Sequence, residues 1–363
     1  MAKALKILKF DKAMQLADQA GGKQHVLLGN GFSIGAHPMF RYGTLYEQAR
    51  KAGLPKHVHA LFDRYGTANF EEVLRQLDEG QWLADHYRMR KTKPKLDMRK
   101  DHERVKQALV DAIADSHPPF PDGVGEAKLA AAADFLDQFY NVFTTNYDLL
   151  LYWASLVKQP FPFEDGFGRE VDADDSYCEF LPASNDRRHI YFLHGALHLY
   201  TAEGEVRKMV WNTTGIPLME QVKEALEKKK YPLVVSEGGS QSKSERIEAS
   251  SYLSNCLRKF ANIRGSLFLY GSSLSQQDDH IWDVIATNTS LPRLFVGVRG
   301  NPSSQRNLRL VERAAALVPR RKHVLASGRR GGRAKAEELE VRFFDSTSGG
   351  VWTPKPNASP LAA

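Results

Sequence analysis

The chain has 363 residues, a length that suits one α/β domain with a sizeable helical insertion or two modest domains. Its hydrophobic content of 42% is ordinary for a globular protein, and no apolar run is long enough to span a bilayer. The first residues, Met1 to Lys6, lack the apolar core and cleavage site of a secretory signal. We therefore expect a cytoplasmic protein that makes no contact with a membrane.

Two cysteines, Cys178 and Cys256, are too few for a four-thiolate zinc site, so reduced thiols and no zinc are expected. The net charge of +7 weakly favours anionic partners. Basic residues gather in two segments, Arg88 to Lys100 and Arg320 to Lys335. Neither segment has the interleaved aromatic residues that stack on bases, so solvated surface is favoured there, and nucleic-acid binding stays open as an alternative.

Hydrophobic periodicity and turn residues predict the secondary structure. The predicted strands are 25–28, 141–144, 189–193, 233–235, 266–270, 294–298 and an edge strand at 341–344. The predicted helices are 3–20, an almost wholly helical stretch at about 45–115, one that starts near 148, and 217–229, 247–261, 278–287 and 303–318. Irregular structure is expected at 159–188, a hairpin at 197–211 and a polar loop at 236–244.

Short apolar strands that alternate with helices predict an α/β fold. The expected architecture is Rossmann-like: a mostly parallel sheet with helices on both faces, plus the helical insertion at about 45–115. We expect one such domain over residues 1–345 and a flexible tail over 346–363. Ligands bind such sheets at the carboxyl ends of the strands, which makes the residues after each strand the candidates for function.

The first predicted strand is followed by Gly29-Asn30-Gly31-Phe32-Ser33. Glycines at this position let backbone amides approach a diphosphate, although a tight turn explains them equally well. The loop is not a dehydrogenase fingerprint, because the third glycine, Gly35, comes one residue late. The acidic residue expected on a ribose is also poorly placed, since Glu47 lies inside a predicted helix.

Three further predicted strands end in polar motifs. The first is Thr144-Thr145-Asn146-Tyr147-Asp148, the second is His194-Gly195, and the third is Gly271-Ser272-Ser273-Leu274. Each has an ordinary structural explanation when taken alone: a helix cap, a structural histidine and a turn.

The order of the four motifs resembles that of the sirtuins, which read Gly-Ala-Gly-Ile-Ser, Thr-Gln-Asn-Ile-Asp, His-Gly and Gly-Thr-Ser. The chain is similar to the shorter bacterial sirtuin-like proteins, in which a Gly-Asn-Gly-Phe-Ser loop is common. It looks most like a DUF4917-like branch that also has a loop like Ser236-Glu237-Gly238 and a residue like Lys243 before a Tyr-Leu helix, here Tyr252-Leu253.

The resemblance implies a role for each motif. The loop Gly29, Asn30, Gly31, Phe32 and Ser33 would line the diphosphate and the nicotinamide-side ribose of NAD. Asn146 would position the ribose or a water, Asp148 would bind the nicotinamide carboxamide, and His194 would be the general base. Gly271, Ser272 and Ser273 would contact the adenosine-side ribose and phosphates.

The chain departs from the sirtuin pattern at several positions. Asn30 stands where alanine is usual, Thr145 stands where glutamine is usual, and the pair Phe40-Arg41 falls one residue early. The zinc module of deacetylating sirtuins needs four cysteines, which this chain lacks, so the resemblance does not favour a protein deacylase.

The activity implied by the resemblance is hydrolysis of NAD to nicotinamide and ADP-ribose, with antiviral defence as its setting. Cleavage of the nicotinamide–ribose bond places positive charge on the sugar, much as glycoside cleavage does. A histidine can then take the proton of the attacking water. The alternative is a non-catalytic sensor that binds NAD or ADP-ribose. A homo-oligomer and a defence-system partner both remain open.

Overall fold

The computed structural model describes residues 5–89, 92–170, 177–182, 187–211, 214–326 and 338–354. The strands are β1 (Ile7–Leu8), β2 (Gln24–Leu28), β3 (Asn141–Thr144), β4 (Phe167–Glu170), β5 (Tyr177–Phe180), β6 (His189–Phe192), β7 (Leu199–Ala202), β8 (Glu205–Met209), β9 (Ser266–Tyr270), β10 (Arg293–Val298) and β11 (Glu340–Asp345).

The α-helices are α1 (Phe10–Gln19), α2 (Asn30–Ala36), α3 (Tyr42–Lys51), α4 (Lys56–Tyr65), α5 (Phe70–His86), α6 (Lys93–Ser116), α7 (Glu126–Leu136), α8 (Leu150–Ser155), α9 (Leu218–Glu227), α10 (Ser240–Glu248), α11 (Ser251–Ala261), α12 (Asp279–Thr287) and α13 (Gln305–Ala326). Within the described ranges, no helix combines the length and the apolar character needed to cross a membrane.

Seven strands form one sheet in the order β1-β11-β10-β9-β2-β3-β6, and every pairing in it is parallel. Successive side chains of a strand point to opposite faces, and nearly all residues of β2, β3, β6 and β9 are buried. Both faces of the sheet are therefore covered, as parallel sheets require. The predicted α/β class with a mostly parallel sheet is confirmed.

A second, antiparallel sheet has the order β4-β5-β8-β7. The predicted hairpin corresponds to β7 and β8, which turn at Glu203 and Gly204 with positive φ angles of 54° and 88°. The prediction of irregular structure over 159–188 is wrong in part, because β4 and β5 lie there. These strands are short and polar on one side, so they lack the apolar run that marks the strands of the main sheet.

The stretch predicted to be helical at about 45–115 contains α3, α4, α5 and α6. Helix α5 begins after Asn69, whose Oδ1 accepts a hydrogen bond of 3.0 Å from the Glu71 amide. Its apolar face, including Phe70 and Leu74, is fully buried. This packing fixes the first turn of α5 and with it the position of Glu71.

Two predictions for the chain ends are wrong. Residues 3–20 were predicted as one helix, but Ile7 and Leu8 form β1, which pairs with β11 at the edge of the sheet. The strand at 341–344 is consequently an interior strand between β1 and β10. A strand of two residues gives no periodicity of its own, so the apolar residues of β1 merge with the pattern of α1.

The prediction of a flexible tail from residue 346 is also wrong as far as Pro354, because residues in this stretch are packed against the domain. The Trp352 side chain is 7% exposed, its ring centroid lies 4.7 Å from that of Phe32, and its Nε1 donates to the Phe32 carbonyl oxygen at 2.8 Å. The tail therefore supports the glycine loop of the first motif. Residues 355–363 lie outside the described residues.

The segment after the second sheet differs from its prediction as well. Residues 233–235 form only a bridge in which Val234 pairs antiparallel with Gly195, and they do not join the main sheet. The polar loop predicted at 236–244 ends early, because α10 already begins at Ser240. Lys243 is thereby placed on a helix, where it is fully buried.

Candidate functional site

The carboxyl ends of β9, β2, β3 and β6 lie side by side at one edge of the main sheet. A cavity of about 330 Å³ opens there, a volume within the range of small-molecule sites. Nine of the eleven predicted site residues line it: Gly29, Asn30, Gly31, Asn146, Asp148, His194, Gly271, Ser272 and Ser273. Phe32 and Ser33 are fully buried behind this wall.

The glycine loop packs directly on the loop that follows β9. A Cβ atom on Gly29 would lie 2.8 Å from Ser272 Cα, and one on Gly31 would lie 2.5 Å from Gly271 Cα. The Gly29 and Gly31 amides donate to the carbonyl oxygens of Tyr270 and Gly271 at 2.9 and 2.8 Å. The expectation that these glycines bring amides to a diphosphate needs correction: they let two loops touch, and both amides are used inside the protein.

Asn146 is held by both protons of its side-chain amide. Its Nδ2 donates to the Gly29 carbonyl oxygen at 3.1 Å and to Ser33 Oγ at 2.8 Å. The Ser33 hydroxyl in turn donates to Asp148 Oδ2 at 2.5 Å. No donor to Asn146 Oδ1 is found among the described residues, so this oxygen can accept a hydrogen bond from a molecule in the cavity.

Asp148 is 5% exposed, and burial raises the pKa of its carboxyl group, although hydrogen bonds from Ser33 and from the Leu150 amide oppose that shift. The Leu150 amide donates to Oδ1 at 3.0 Å. Each carboxylate oxygen can accept more than one hydrogen bond, so Asp148 retains acceptor capacity toward the cavity.

His194 is 1% exposed and pairs with a second histidine, because its Nε2 lies 3.0 Å from Nε2 of His280. Asp278 Oδ1 lies 4.0 Å from the same His194 nitrogen. His280 also contacts Ser240. The Ser240 Oγ accepts a hydrogen bond of 2.7 Å from the His280 backbone amide and lies 3.3 Å from His280 Nδ1. Burial lowers the pKa of His194 well below its ordinary value and that of His280 to about 4, so both rings are neutral at pH 7.

A buried ion cluster supports this wall of the cavity. The fully buried Lys243 ammonium lies 2.9 Å from Asp278 Oδ1 and 3.1 Å from Glu71 Oε2. Glu71 also accepts from the Tyr147 hydroxyl at 3.1 Å. Two carboxylates face one ammonium, so the ionised cluster carries one net negative charge.

The pKa values of Asp278, Glu71 and Lys243 are shifted in different directions by burial and by the neighbouring charges. Burial raises the pKa of Asp278, but the charge and hydrogen bond of Lys243 together with His194 and His280 outweigh burial and hold that pKa well below its usual value. Burial raises the pKa of Glu71 more than Lys243 lowers it. Burial lowers the pKa of Lys243, yet Asp278 and Glu71 outweigh it and the pKa lies above its usual value. Lys243 and Asp278 are therefore charged at neutral pH.

His194, Asp278 and His280 also offer three atoms that lie within 4.8 Å of one another, a spacing that a metal ion could bridge. The Lys243 ammonium is only 2.9 Å from Asp278 Oδ1, however. A divalent ion there would be repelled at short range by a buried positive charge. The donor set suits a histidine pair beside an ion pair better than a metal centre.

A sequence model of the family described as "Domain of unknown function (DUF4917)" matches residues 26–352, from the first motif's strand to Trp352. The chain belongs to the DUF4917 family. No curated protein matches it. A solved structure described as "Structural Basis for the Mechanism and Regulation of Sir2 Enzymes" is 12% identical, with 87% of this chain and 99% of that chain covered and a TM-score of 0.33.

Several residues of this DUF4917 site were not predicted. Glu71, Asp278, His280 and Arg306 all lie at or beside the cavity, yet none follows a predicted strand. Glu71 stands in the first turn of an amphipathic helix, where an acidic residue ordinarily complements the helix dipole. In the sequence, Lys243 stands out only through the resemblance to the DUF4917-like branch, and it lies in a segment predicted as a polar loop.

The second basic segment is largely engaged within this DUF4917 protein, as far as it is described. Arg321 is fully buried and donates to the carbonyl oxygens of Ala286, Leu291 and Ile285. Its neighbour Arg320 pairs with Asp283. These contacts weaken the nucleic-acid alternative, because neither guanidinium is free for phosphates. Residues 327–335 of this segment, and Arg90 and Lys91 of the first, lie outside the described residues.

Proposed function

We propose that this DUF4917 protein binds NAD in the cavity and hydrolyses it to nicotinamide and ADP-ribose. The observation that carries the proposal is the convergence of Asn146, Asp148 and His194 on one cavity beside the glycine loop. These are the three positions to which the sirtuin-like motif order gives chemical roles.

The charges around the cavity suit such a ligand. Arg306 lines it together with Ser272 and Ser273, and these groups can neutralise and hydrogen-bond a diphosphate. Glu71 and Asp278 line it as well, backed by Lys243, and the cluster carries one net negative charge when Glu71 is ionised. Negative charge favours the cationic nicotinamide ring and the positive sugar that forms as the bond breaks.

His194 requires one particular tautomer to act as a base. Its Nε2 faces His280 Nε2, so one of the two nitrogens carries the proton between them. The proposed mechanism places that proton on His194 Nε2, which lies 4.0 Å from Asp278 Oδ1. His194 then donates to His280, its Nδ1 is left unprotonated, and His280 Nδ1 donates to Ser240. His280 is therefore a positioning residue for His194.

The proposed step is the attack of one water molecule on the anomeric carbon of the nicotinamide ribose. The water oxygen forms the new bond, the carbon–nitrogen bond breaks, and its electron pair leaves with nicotinamide. The proton released by the water passes to His194 Nδ1. Asn146 Oδ1 accepts a hydrogen bond from the water or a ribose hydroxyl, and Asp148 accepts one from the nicotinamide carboxamide.

A binding module that senses NAD or ADP-ribose is the second candidate. It is favoured by the burial of His194, which is 1% exposed and has a pKa well below 6.5, since a weak and enclosed base is a poor proton acceptor. Calorimetry that detects NAD binding while chromatography finds no nicotinamide would identify this function.

The direct test of the first candidate is incubation of the full chain with NAD and chromatographic detection of nicotinamide and ADP-ribose. Equal amounts of both products support hydrolysis. A defence role rests on the resemblance alone, and we propose it as the biological setting. It predicts that NAD falls in phage-infected cells that carry the protein and stays constant in cells that carry an Asn146→Ala variant.

A further inference from the structure

A second cavity adjoins the first at the edge of the main sheet. It has a volume of about 70 Å³ and lies beyond Gly31, Gly271 and Ser272, which line both cavities. Arg306 also lines both, and Arg299 lines the smaller one. A volume this small holds a single chemical group better than a second nucleoside, since one water takes about 30 Å³.

The two arginines give this second cavity a positive charge. No carboxylate lines it, and among the described residues neither guanidinium pairs with an acidic side chain. Asp345, next to the cavity-lining Ser346, is not among the lining residues, and its Oδ1 accepts from the Thr347 amide and hydroxyl at 2.9 and 2.6 Å. Both arginine side chains are exposed, so a ligand can reach them from the main cavity.

The loop that carries Arg299 is fixed by a buried side chain. Asn307 is 4% exposed, and its Nδ2 donates to the carbonyl oxygens of Arg299 and Asn301 at 2.9 and 2.7 Å. On the other side, Ser346 Oγ donates to the Val298 carbonyl oxygen at 3.2 Å. The backbone that presents Arg299 is thus tied to α13, which presents Arg306.

We propose that the second cavity is a phosphate subsite and that the preferred ligand is a dinucleotide with an additional phosphomonoester, of the NADP class. Sites for an unmodified ribose commonly offer a carboxylate to its hydroxyls, whereas an arginine accommodates a ribose phosphate. This edge offers two arginines and no carboxylate. The amides of Gly29 and Gly31 are occupied by the Tyr270 and Gly271 carbonyl oxygens, so the two guanidinium groups are the charged donors at this cavity.

This inference rests on the proposed function, and calorimetry with the full chain separates the two. NADP is expected to bind at least about tenfold more tightly than NAD, since a charge-assisted hydrogen bond contributes about 1.5–3 kcal/mol and each tenfold is about 1.4 kcal/mol. Arg299→Gln should bring the ratio of the two affinities toward one, whereas Arg306→Gln should also weaken NAD, because Arg306 lines the main cavity as well. Arg309→Gln is the matched control, because Arg309 is exposed on the same helix and lines neither cavity.

Each outcome decides a separate point. NADP preference that is lost in Arg299→Gln and kept in Arg309→Gln supports the subsite. NAD that binds as tightly as NADP overturns the subsite and leaves the proposed function intact. Failure of both dinucleotides to bind overturns the proposed function and the subsite with it. A preference that Arg309→Gln also removes would show a general charge effect and would overturn the assignment to this cavity.

Discussion

Asn146 and Ser33 are joined by a hydrogen bond of 2.8 Å although 113 positions separate them in the chain. The bond links helix α2, which follows β2, to the loop that follows β3, and Ser33 extends it to Asp148. Ser33 therefore acts from behind the cavity wall: it orients Asn146, whose oxygen is left for a ligand. The first two motifs form one hydrogen-bonded unit because their strands are neighbours in the sheet.

Substitution of Gly31 tests the contact between the two loops. Gly31→Ala places a Cβ 2.5 Å from Gly271 Cα, so backbone must move, and we expect a loss of at least about 2 kcal/mol in the free energy of unfolding. Gly43→Ala is the matched control, because nothing lies within 4 Å of its Cβ and it is helical. Gly43→Ala should raise the free energy of unfolding by about 0.5–1 kcal/mol. Equal unfolding midpoints in urea for both variants would contradict the packing role.

Removal of the buried ammonium tests the ion cluster. Lys243→Met leaves Glu71 and Asp278 facing each other in a buried site, and a loss of about 3–5 kcal/mol in unfolding free energy is expected. Lys228→Met breaks an exposed pair with Glu224 and should leave the free energy of unfolding almost unchanged.

A second variant keeps this test independent of a simple folding failure. Adding Glu71→Gln and Asp278→Asn to Lys243→Met removes the uncompensated charges and should restore a large part of the lost stability. If the triple variant is no more stable than Lys243→Met alone, the loss has another origin than unpaired charge.

His280 is expected to set the tautomer of His194. In the wild-type protein, nitrogen-15 NMR of the histidine rings should find His194 Nδ1 unprotonated and Nε2 protonated. His280→Ala should reduce kcat for nicotinamide release by about 10- to 100-fold with little change in KM, because a positioned base supplies about 10²–10⁴ in total. His280→Gln retains a side-chain acceptor and should recover part of the activity. A proton found on Nδ1 of wild-type His194 would refute the arrangement.

Acid should destabilise the protein through its buried histidines. Burial lowers the pKa of His25, His117 and His280 to about 4, against about 6.5 in the unfolded chain. The unfolded state then binds more protons between these values, so the stability contribution is complete above pH 6.5 and is lost as the pH falls toward 4. Urea unfolding at pH 7, 5.5 and 4.5 should show a continuous decline, and constant stability over that range would contradict these shifts.

Much of the framework follows from local sequence. The main strands are apolar runs bounded by turn residues, so their positions and the loops after them can be predicted, including those of Asn146 and His194. The ion cluster cannot be predicted from local sequence, because Glu71 and Lys243 are 172 positions apart and meet only after folding. Glu71 also lies on an amphipathic helix, where a charged residue ordinarily faces solvent, and Lys243 lies in a segment that the sequence predicts as a polar loop. The two-residue strand β1 fails for a different reason, since it is too short to show a period.

Nicotinamide release from NAD by the purified full chain tests the central claim most directly. We expect nicotinamide release with stoichiometric ADP-ribose. The rate should fall by at least about 10²-fold in Asn146→Ala, which loses a positioning group, and in His194→Ala, which loses the base. Asn262→Ala, an exposed substitution away from the cavity, should match the wild type. Release that Asn146→Ala and His194→Ala leave unchanged, or a wild-type protein that leaves NAD intact, would contradict the account.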